Sequence, residues 1–79
     1  MITRVAKRSV SIGGHRTSIS LETAFYAELE AIAERRNTSV GRLVVDVDAS
    51  RDTDVNLSSA LRLFVLADLQ ARLAAKETA

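Results

Sequence analysis

Apolar and polar residues alternate over a short stretch in the first third of the chain. The run Thr-Ser-Ile-Ser-Leu begins at Thr17, so Ile19 and Leu21 fall on one face of a predicted strand. Ser18 and Ser20 fall on the opposite, polar face. A strand with so few residues to bury does not form a stable sheet by itself. We therefore expect it to pair with the same strand of a second copy in a homodimer.

A weaker alternation precedes this strand. Residues 8–12 read Arg-Ser-Val-Ser-Ile and are followed by Gly13-Gly14, two residues that adopt positive φ readily. Two alternating runs around Gly-Gly are typical of a β-hairpin. The alternative is a flexible basic arm hinged at the glycines, with only residues 16–21 in the strand. Residues 1–14 are thus an N-terminal arm or a first hairpin strand, and we favour the arm because its run is weakly apolar.

Three segments with helical periodicity follow, the first from Glu22, the second from about Ser39 to Ala49 and the third from Leu57 to about Lys76. Each has an apolar stripe that we expect to be buried: Phe25, Leu29, Ile32 and Ala33 in the first; Val40, Leu43, Val44 and Val47 in the second; Leu57, Ala60, Leu61, Phe64, Val65, Ala67 and Leu69 in the third. Leu63 and Leu66 widen the third apolar face, so we expect that helix to lie between two chains.

Polar residues before the helical segments predict their caps. Thr38 or Ser39 is the predicted N-cap of the second helix, and Asn56 is that of the third. An open helix N-terminus also offers free backbone N–H groups to a phosphate, and Arg42 lies one turn further on. Beyond Leu73 the sequence turns to Ala, Lys, Glu and Thr, where we expect fraying.

The size and composition of the chain exclude several classes of protein. A chain of 79 residues allows one small domain, whose core needs help from disulfides, a metal or oligomerisation. It has no cysteine and a single histidine, His15, so we expect no disulfide, metal site, cofactor or enzymatic centre. The longest apolar stretch, residues 63–67, is too short to span a bilayer, and the N-terminal residues lack the apolar core of a signal peptide. We expect a soluble cytoplasmic protein that oligomerises.

The charge is unevenly distributed, although the formal net charge is only +1. Four cations, Arg4, Lys7, Arg8 and Arg16, precede the first acidic residue, Glu22. A basic arm on a nearly neutral body concentrates positive potential at one end, and a dimer would double it. An ordinary solvated terminus would give the same pattern.

A short strand, a helix, a tight turn and a second helix resemble the ribbon-helix-helix superfamily, the fold of the Arc and Met repressors. The resemblance covers residues 15–50 and is carried by three motifs: Arg16-Thr17-Ser18-Ile19-Ser20-Leu21-Glu22, Ile32-Ala33-Glu34 and Thr38-Ser39-Val40. Residues 14–22, together with the Asn56-Leu57-Ser58-Ser59-Ala60-Leu61-Arg62 segment, resemble a bacterial subfamily with an added C-terminal helix. The resemblance implies a mostly α homodimer with an intermolecular two-stranded antiparallel ribbon, followed by a loop and third helix at residues 51–79.

In that superfamily the ribbon enters the major groove of DNA and alternate side chains contact bases. The resemblance therefore implies base contacts by three outward residues: Arg16, Ser18 and Ser20. It implies phosphate contacts by the second-helix N-terminus and nearby cations: Lys7, Arg8, Thr38, Ser39, Val40 and Arg42. The expected dimer core consists of Thr17, Ile19, Leu21, Phe25, Leu29, Leu43, Val44 and Phe64.

We therefore interpret the chain as a homodimeric DNA-binding protein, a transcriptional repressor of the bacterial nucleoid whose partners are its twin and double-stranded DNA. Two features depart from many relatives, which have longer side chains on the reading face and often proline at the position of Glu22. The alternative is a dimeric interaction module, antitoxin-like or an adaptor, whose ribbon or third helix binds a protein partner. Binding to DNA weakens steeply with salt, which separates the two hypotheses.

Overall fold

The computed structural model describes residues 4–78; the first three residues of the predicted N-terminal segment lie outside them. Two strands and three helices follow one another in the chain: β1 Val5–Ile12, β2 His15–Glu22, α1 Thr23–Arg35, α2 Val40–Ser50 and α3 Leu57–Thr78. The predicted fold class, a two-stranded antiparallel ribbon followed by helices with an added C-terminal helix, is confirmed.

The two strands form a hairpin with a two-residue turn. Ile12 lies opposite His15 at its closed end. The turn residues have positive φ values, 58° at Gly13 and 82° at Gly14, which are those of a type I′ turn. This turn type matches the right-handed twist of paired strands, and glycine adopts it without steric cost.

The hairpin corrects two expectations. Residues 5–12 form a strand and not the basic arm that we favoured, so the hairpin interpretation of the two glycines is the correct one. The strand paired with β2 in this ribbon is β1 of the same chain, whereas we expected a two-stranded ribbon with one strand from each chain. Pairing of the other edge of β2 with a second copy stays a prediction. β1 serves as a partner because Val10 is buried in the core and Ile12 packs against it, which adds apolar surface to the inner face.

The inner face of the hairpin and the three helices enclose one core. Its buried residues come from every element: Val10, Ile19, Leu21, Leu29, Ile32, Ala33, Leu43, Val44, Val47, Ala60, Leu61 and Val65. Seven partly buried side chains pack against them: Ile12, Phe25, Tyr26, Val40, Val55, Leu57 and Phe64. The burial of apolar surface is the main source of stability for a domain of this size.

Both predicted helix caps are confirmed. The hydroxyl of Ser39 accepts a hydrogen bond of 3.1 Å from the Arg42 N–H at the start of α2. The side-chain oxygen of Asn56 accepts one of 2.8 Å from the Ser59 N–H at the start of α3. Each cap satisfies a backbone donor that has no partner inside the helix.

The third helix is longer than its apolar pattern indicated. We expected fraying beyond Leu73, but α3 continues to Thr78. Alanine has the highest helix propensity, and its recurrence at positions 71, 74 and 75 keeps this exposed segment helical. Within residues 4–78, none of the helices combines the length and the apolar character needed to cross a membrane.

Salt bridges join α3 to the hairpin and to α1. Arg62 donates hydrogen bonds of 2.8 and 3.1 Å to the two carboxylate oxygens of Glu22, at the end of β2. Asp68 accepts hydrogen bonds from three arginines: Arg35 at 3.0 Å, Arg36 at 3.3 Å and Arg72 at 2.9 Å. The contacts of Arg62 with Glu22 and of Asp68 with Arg35 and Arg36 connect residues more than thirty positions apart in the sequence, so they fix the placement of α3 on the body of the domain.

The same contacts change the acidity of both carboxyl groups. The hydrogen bond from Arg62 lowers the pKa of Glu22. Burial raises the pKa of Asp68, but the hydrogen bond from Arg72 and the charges of all three arginines outweigh it, so the net pKa is lowered. Both groups are therefore held in the ionised form that their arginine partners require.

Candidate nucleic-acid interface

The outer face of the hairpin is polar and exposed. It consists of three facing pairs of residues: Lys7 with Ser20, Ser9 with Ser18, and Ser11 with Arg16. We call these six side chains the ribbon face. Lys7 and Ser11 are four residues apart on β1, so the three rows span about 13 Å along the strands. A two-stranded ribbon of this size fits the major groove of B-DNA, which is about 12 Å wide.

The side chains of the ribbon face have no hydrogen-bond or ion-pair partner within residues 4–78. Lys7 and Arg16 lie at diagonally opposite corners, with the four serines between them. The ribbon face therefore presents two uncompensated positive charges and four hydroxyl groups to solvent. This arrangement is complementary to a ligand with anionic edges and hydrogen-bonding groups between them.

The predicted base-contacting residues all lie on this face, at three exposed positions of β2: Arg16, Ser18 and Ser20. Ser9 and Ser11 of β1 lie beside them, and we did not predict a role for either. The alternation of residues 8–12 indicated their position. We missed them because we favoured a flexible arm over a strand.

The two cations predicted to contact phosphates in β1 lie on opposite faces of the hairpin. Lys7 is on the ribbon face, whereas Arg8 is on the inner face, opposite Ile19. The guanidinium carbon of Arg8 lies 3.9 Å from the centre of the Tyr26 ring. This cation–π contact holds Arg8 against α1. Arg8 remains exposed, so it adds positive potential at the side of the hairpin.

The other predicted phosphate site is the N-terminus of α2. Helix α1 lies between it and the end of β2 in the chain, and the 13 residues of α1 span about 20 Å. The Thr38 N–H donates a hydrogen bond of 2.8 Å to the Ala33 carbonyl. The N–H groups of Ser39, Val40 and Gly41 have no partner within the described residues. These three are the backbone donors that this terminus can offer to an anion.

Carboxylates surround this helix terminus. Glu30 and Glu34 of α1 line the surface recess beside it. The nearby Arg42 forms an ion pair of 3.5 Å with Asp46. Carboxylates oppose the approach of an anion, so the ribbon face has the clearer positive potential of the two predicted contact regions.

The residues assigned to a dimer core lie within the core of a single chain or against it. Five of them are buried: Ile19, Leu21, Leu29, Leu43 and Val44. The other three are half-buried: Thr17, Phe25 and Phe64. Contacts inside one chain account for this burial, and their contact with a second copy stays a prediction.

One edge of β2 is not paired with β1. The Thr23 N–H donates to the carbonyl just before β1 at 2.8 Å, so odd-numbered residues of β2 face β1 and even-numbered residues face away. The backbone groups of Arg16 and Ser18 are therefore open at this edge. The Ser20 carbonyl accepts a hydrogen bond of 2.7 Å from the Ser58 hydroxyl. A groove of about 740 Å³ runs beside the edge, between β2, the end of α2 and the start of α3.

The other titratable residues do not form a metal site. Within residues 4–78, no group of three or more His, Asp or Glu side chains is placed to hold a metal ion. Asp46 and Asp48 of α2 are instead paired with arginines, Arg42 at 3.5 Å and Arg51 at 2.9 Å. These two carboxylates thus serve local ion pairing.

The order of elements and the exposed ribbon define a known class of protein. The family model described as "Ribbon-helix-helix domain" matches residues 5–69, which is most of the chain. The chain belongs to this family. Proteins with this domain generally bind DNA, as transcription regulators or antitoxins, and the fold is not typically enzymatic. Neither a search of curated proteins nor a search of solved structures finds a match to the chain.

Proposed function

We propose that the chain is a DNA-binding regulator that places its ribbon face in the major groove. The observation that carries this proposal is the set of two cations and four serine hydroxyls, all exposed and without partners in the described chain. Cations at the corners are suited to phosphates and guanine edges, and hydroxyls between them to base edges. Membership of the family supports the same class of ligand.

The side chains of the ribbon face contribute unequally to recognition. Arg16 contacts guanine, because a guanidinium group donates two parallel hydrogen bonds to O6 and N7. Ser18 and Ser20 both donate and accept, so each discriminates weakly among bases unless ordered waters help. Ser9 and Ser11 add two hydroxyls of the same kind. We therefore expect binding that depends strongly on salt and weakly on sequence.

Phosphate contacts extend the interface beyond the ribbon. They involve the two β1 cations and the N-terminus of α2, through Lys7, Arg8, Thr38, Ser39, Val40 and Arg42. Thr38 contributes its hydroxyl, since its N–H is already bonded inside the chain. The carboxylates of Glu30 and Glu34 weaken the contact at α2, so we assign most of the electrostatic attraction to the ribbon face.

The DNA-binding unit is a homodimer paired along the free edge of β2. Antiparallel pairing centred on Ser18 would use the open backbone groups of Arg16 and Ser18 in both copies. The Ser58 hydroxyl already donates to the Ser20 carbonyl, but a carbonyl oxygen has two lone pairs and can accept a second hydrogen bond, so this contact does not prevent the pairing. Pairing doubles the number of ribbon-face cations and gives the ligand site a twofold axis. A cytoplasmic, nucleoid-associated location is part of the same proposal.

A salt series with a short random-sequence duplex tests DNA binding by fluorescence anisotropy. We expect affinity to fall steeply with salt. Lys7→Ala should reduce the slope of log K against log salt by about 0.9 for each lost phosphate contact, or about 1.8 for the two copies of Lys7 in the homodimer. Lys76→Ala removes the same charge from the last turn of α3 and should leave the slope unchanged. Absence of binding by the wild type at the lowest salt would refute the proposal.

Pairing along β2 has its own test in sedimentation velocity. Ser18→Pro removes an N–H that points away from β1, so the hairpin is kept while the edge loses a donor and gains a bulky ring. Ser18→Ala keeps the N–H and serves as the control. We expect only the proline variant to fall to half of the wild-type mass, because it loses the partner at this edge. Retention of the wild-type mass by Ser18→Pro would contradict pairing at this edge.

A second candidate function is a dimeric module that binds a protein partner. The exposed leucines of α3 favour it, because DNA recognition does not require them. Apolar contacts are not screened by salt, so such a complex would survive the salt concentrations that release DNA. A wild-type chain that fails to bind any duplex but retains a protein ligand at high salt would establish this second function.

A further inference from the structure

Four leucines on α3 are left uncovered by the rest of the described chain. Their exposed fractions are 61% for Leu63, 48% for Leu66, 41% for Leu69 and 58% for Leu73. The opposite side of the same helix is buried in the core through Ala60, Leu61 and Val65. A helix that is apolar on two sides has more apolar surface than one chain buries, which is typical of an interaction site.

The exposed positions have the spacing of a coiled coil. Leu63, Leu66, Gln70 and Leu73 are separated by three, four and three residues, which is the a, d, a, d pattern of a heptad repeat. We call these four residues the α3 seam. None of them is charged. The seam therefore has the periodicity of a surface that packs against another helix.

The two sides of the α3 seam differ in size and charge. Ala67 and Ala74 are on one side, and Arg62, Leu69 and Lys76 are on the other. In a parallel, in-register helix pair, each side of one helix faces the opposite side of its partner. The side of one helix that carries Leu69 and the two cations then faces the side of its partner that carries the two alanines. An antiparallel pair would instead bring Arg62 of one copy towards Lys76 of the other.

Gln70 indicates which partner fits the seam. Its side chain is exposed, and an unrelated apolar surface that covered it would deprive the amide of hydrogen bonds to water. A second copy in register places Gln70 against its own twin, where each amide donates to the other. A single polar residue at an a position also fixes the register and the number of helices. The occupant that satisfies this seam is a second copy of the same chain.

The direction of α3 keeps the seam away from the middle of β2. Ser58 contacts Ser20, and Arg62 contacts Glu22. The step from Ser58 to Arg62 is a rise of about 6 Å along α3, and the step from Ser20 to Glu22 is about 7 Å along β2, so the two distances agree. The two elements therefore run side by side in the same direction. The seam begins one residue beyond Arg62, past the end of β2. A copy bound at the seam and a copy paired at the β2 edge can thus be present together.

From these observations we infer that the α3 seam binds a second copy of this chain as a parallel helix pair. An antiparallel strand pair has its twofold axis across the strands, and a parallel helix pair has its axis along the helices. Where these two perpendicular axes intersect, the two interfaces together join two dimers into a closed tetramer. The helix pair itself does not depend on DNA binding. The tetramer rests on the homodimer of the proposed function.

Sedimentation velocity at micromolar concentration tests the helix pair. Leu66→Glu places two carboxylates face to face in the seam, so we expect the mass to fall to half the wild-type value. Ala71→Glu adds the same charge to an exposed position outside the seam and should keep the wild-type mass. Both positions are exposed in one chain, and circular dichroism should show that both variants are folded. An unchanged mass for Leu66→Glu would refute the inference.

Combining this variant with Ser18→Pro separates the two surfaces. We expect a wild-type tetramer, a dimer for each single variant and a monomer for the double variant. Dissociation by Leu66→Glu alone would support the seam and refute pairing at the β2 edge. Dissociation by Ser18→Pro alone, or a monomeric wild type, would refute the seam and leave its leucines to a different protein.

The register is tested by crosslinking. The chain has no cysteine, so Leu66→Cys introduces the sole thiol. In the parallel register this d position faces its twin, and mild oxidation should convert most of the protein to a disulfide-linked pair. Ala71→Cys should remain uncrosslinked under the same conditions. Equal crosslinking of both variants would contradict the parallel seam.

Discussion

The charged residues of the ribbon face and those of α3 have opposite surroundings. Lys7 and Arg16 have no partner in the described chain, whereas Arg62, Asp68 and Arg72 each bind a residue of another element. A charge that is satisfied inside the molecule positions a helix, and only an unsatisfied charge is open to a ligand. Eleven Lys and Arg residues are present. Their surroundings locate the binding surface better than their number does.

Substitutions at two adjacent residues of β2 should give the largest contrast between loss of stability and loss of DNA binding. Ile19 is 2% exposed, so Ile19→Asp buries an unpaired carboxylate at a cost of about 4 kcal/mol or more, and we expect the chain to unfold. Ser18→Asp places the same group on the exposed ribbon face, where it should weaken DNA binding without unfolding. Circular dichroism and fluorescence anisotropy measure the two effects. A folded Ile19→Asp variant would contradict the burial of this strand face.

The two glycines of the hairpin turn connect the two strands that carry the ribbon face. A Cβ at Gly14 meets nothing within 4 Å, so a substitution there costs backbone strain at a φ of 82° and no steric overlap. We expect Gly14→Ala to cost about 1–2 kcal/mol. That loss lowers the Tm by roughly 5–15 °C for a domain of this size. Gly13→Asn should cost less, because asparagine tolerates the left-handed region. Equal losses at both positions in thermal unfolding would argue against strain as the cause.

Local signals in the sequence predicted most of the secondary structure. Ser39 and Asn56 cap the helices that they were expected to cap, because a cap depends on residues within one turn. The strand around Ile19 follows from its alternation. β1 was harder to predict, since its alternation is weak and its strand character depends on pairing with β2. Pairing depends on contacts that a local pattern does not contain.

The candidate site could also be predicted only as far as local patterns reach, because its β1 residues depend on the pairing of β1 with β2. The alternation of β2 places Arg16, Ser18 and Ser20 outward, and the structure shows them exposed. Ser9 and Ser11 required the hairpin to be known first. The Glu22–Arg62 pair joins residues 40 positions apart, and no periodicity relates them. The first helical segment was predicted to begin at Glu22, and Glu22 is the residue before α1, but the sequence did not predict that its carboxylate binds α3.

A substitution in the charged cluster of α3 should affect stability alone. Asp68→Asn removes the charge that three arginines share, and we expect a loss of about 1 kcal/mol in the free energy of unfolding. Asp52→Asn makes the same charge change in an exposed loop residue whose side chain has no partner in the described chain. Urea unfolding should separate the two variants, while their DNA affinities should be equal. A lower affinity for Asp68→Asn than for Asp52→Asn would assign this cluster to the interface.

Acid should weaken the contacts that hold α3 against the hairpin and α1. Arginine partners lower the pKa of Glu22 from its ordinary value of 4.5 and, against the effect of burial, that of Asp68 from 3.8. The unfolded chain therefore binds protons at a higher pH than the folded chain does. The stability that these groups contribute is complete above their ordinary pKa values and is lost as the pH falls through the folded values.

The pH dependence of the free energy of unfolding measures this contribution. The wild type should lose stability on acidification below about pH 4.5, whereas the Glu22→Gln/Asp68→Asn double variant should begin less stable and lose less over the same interval. Equal slopes for the wild type and the double variant would mean that the arginine contacts of α3 do not hold these carboxylates in the folded chain.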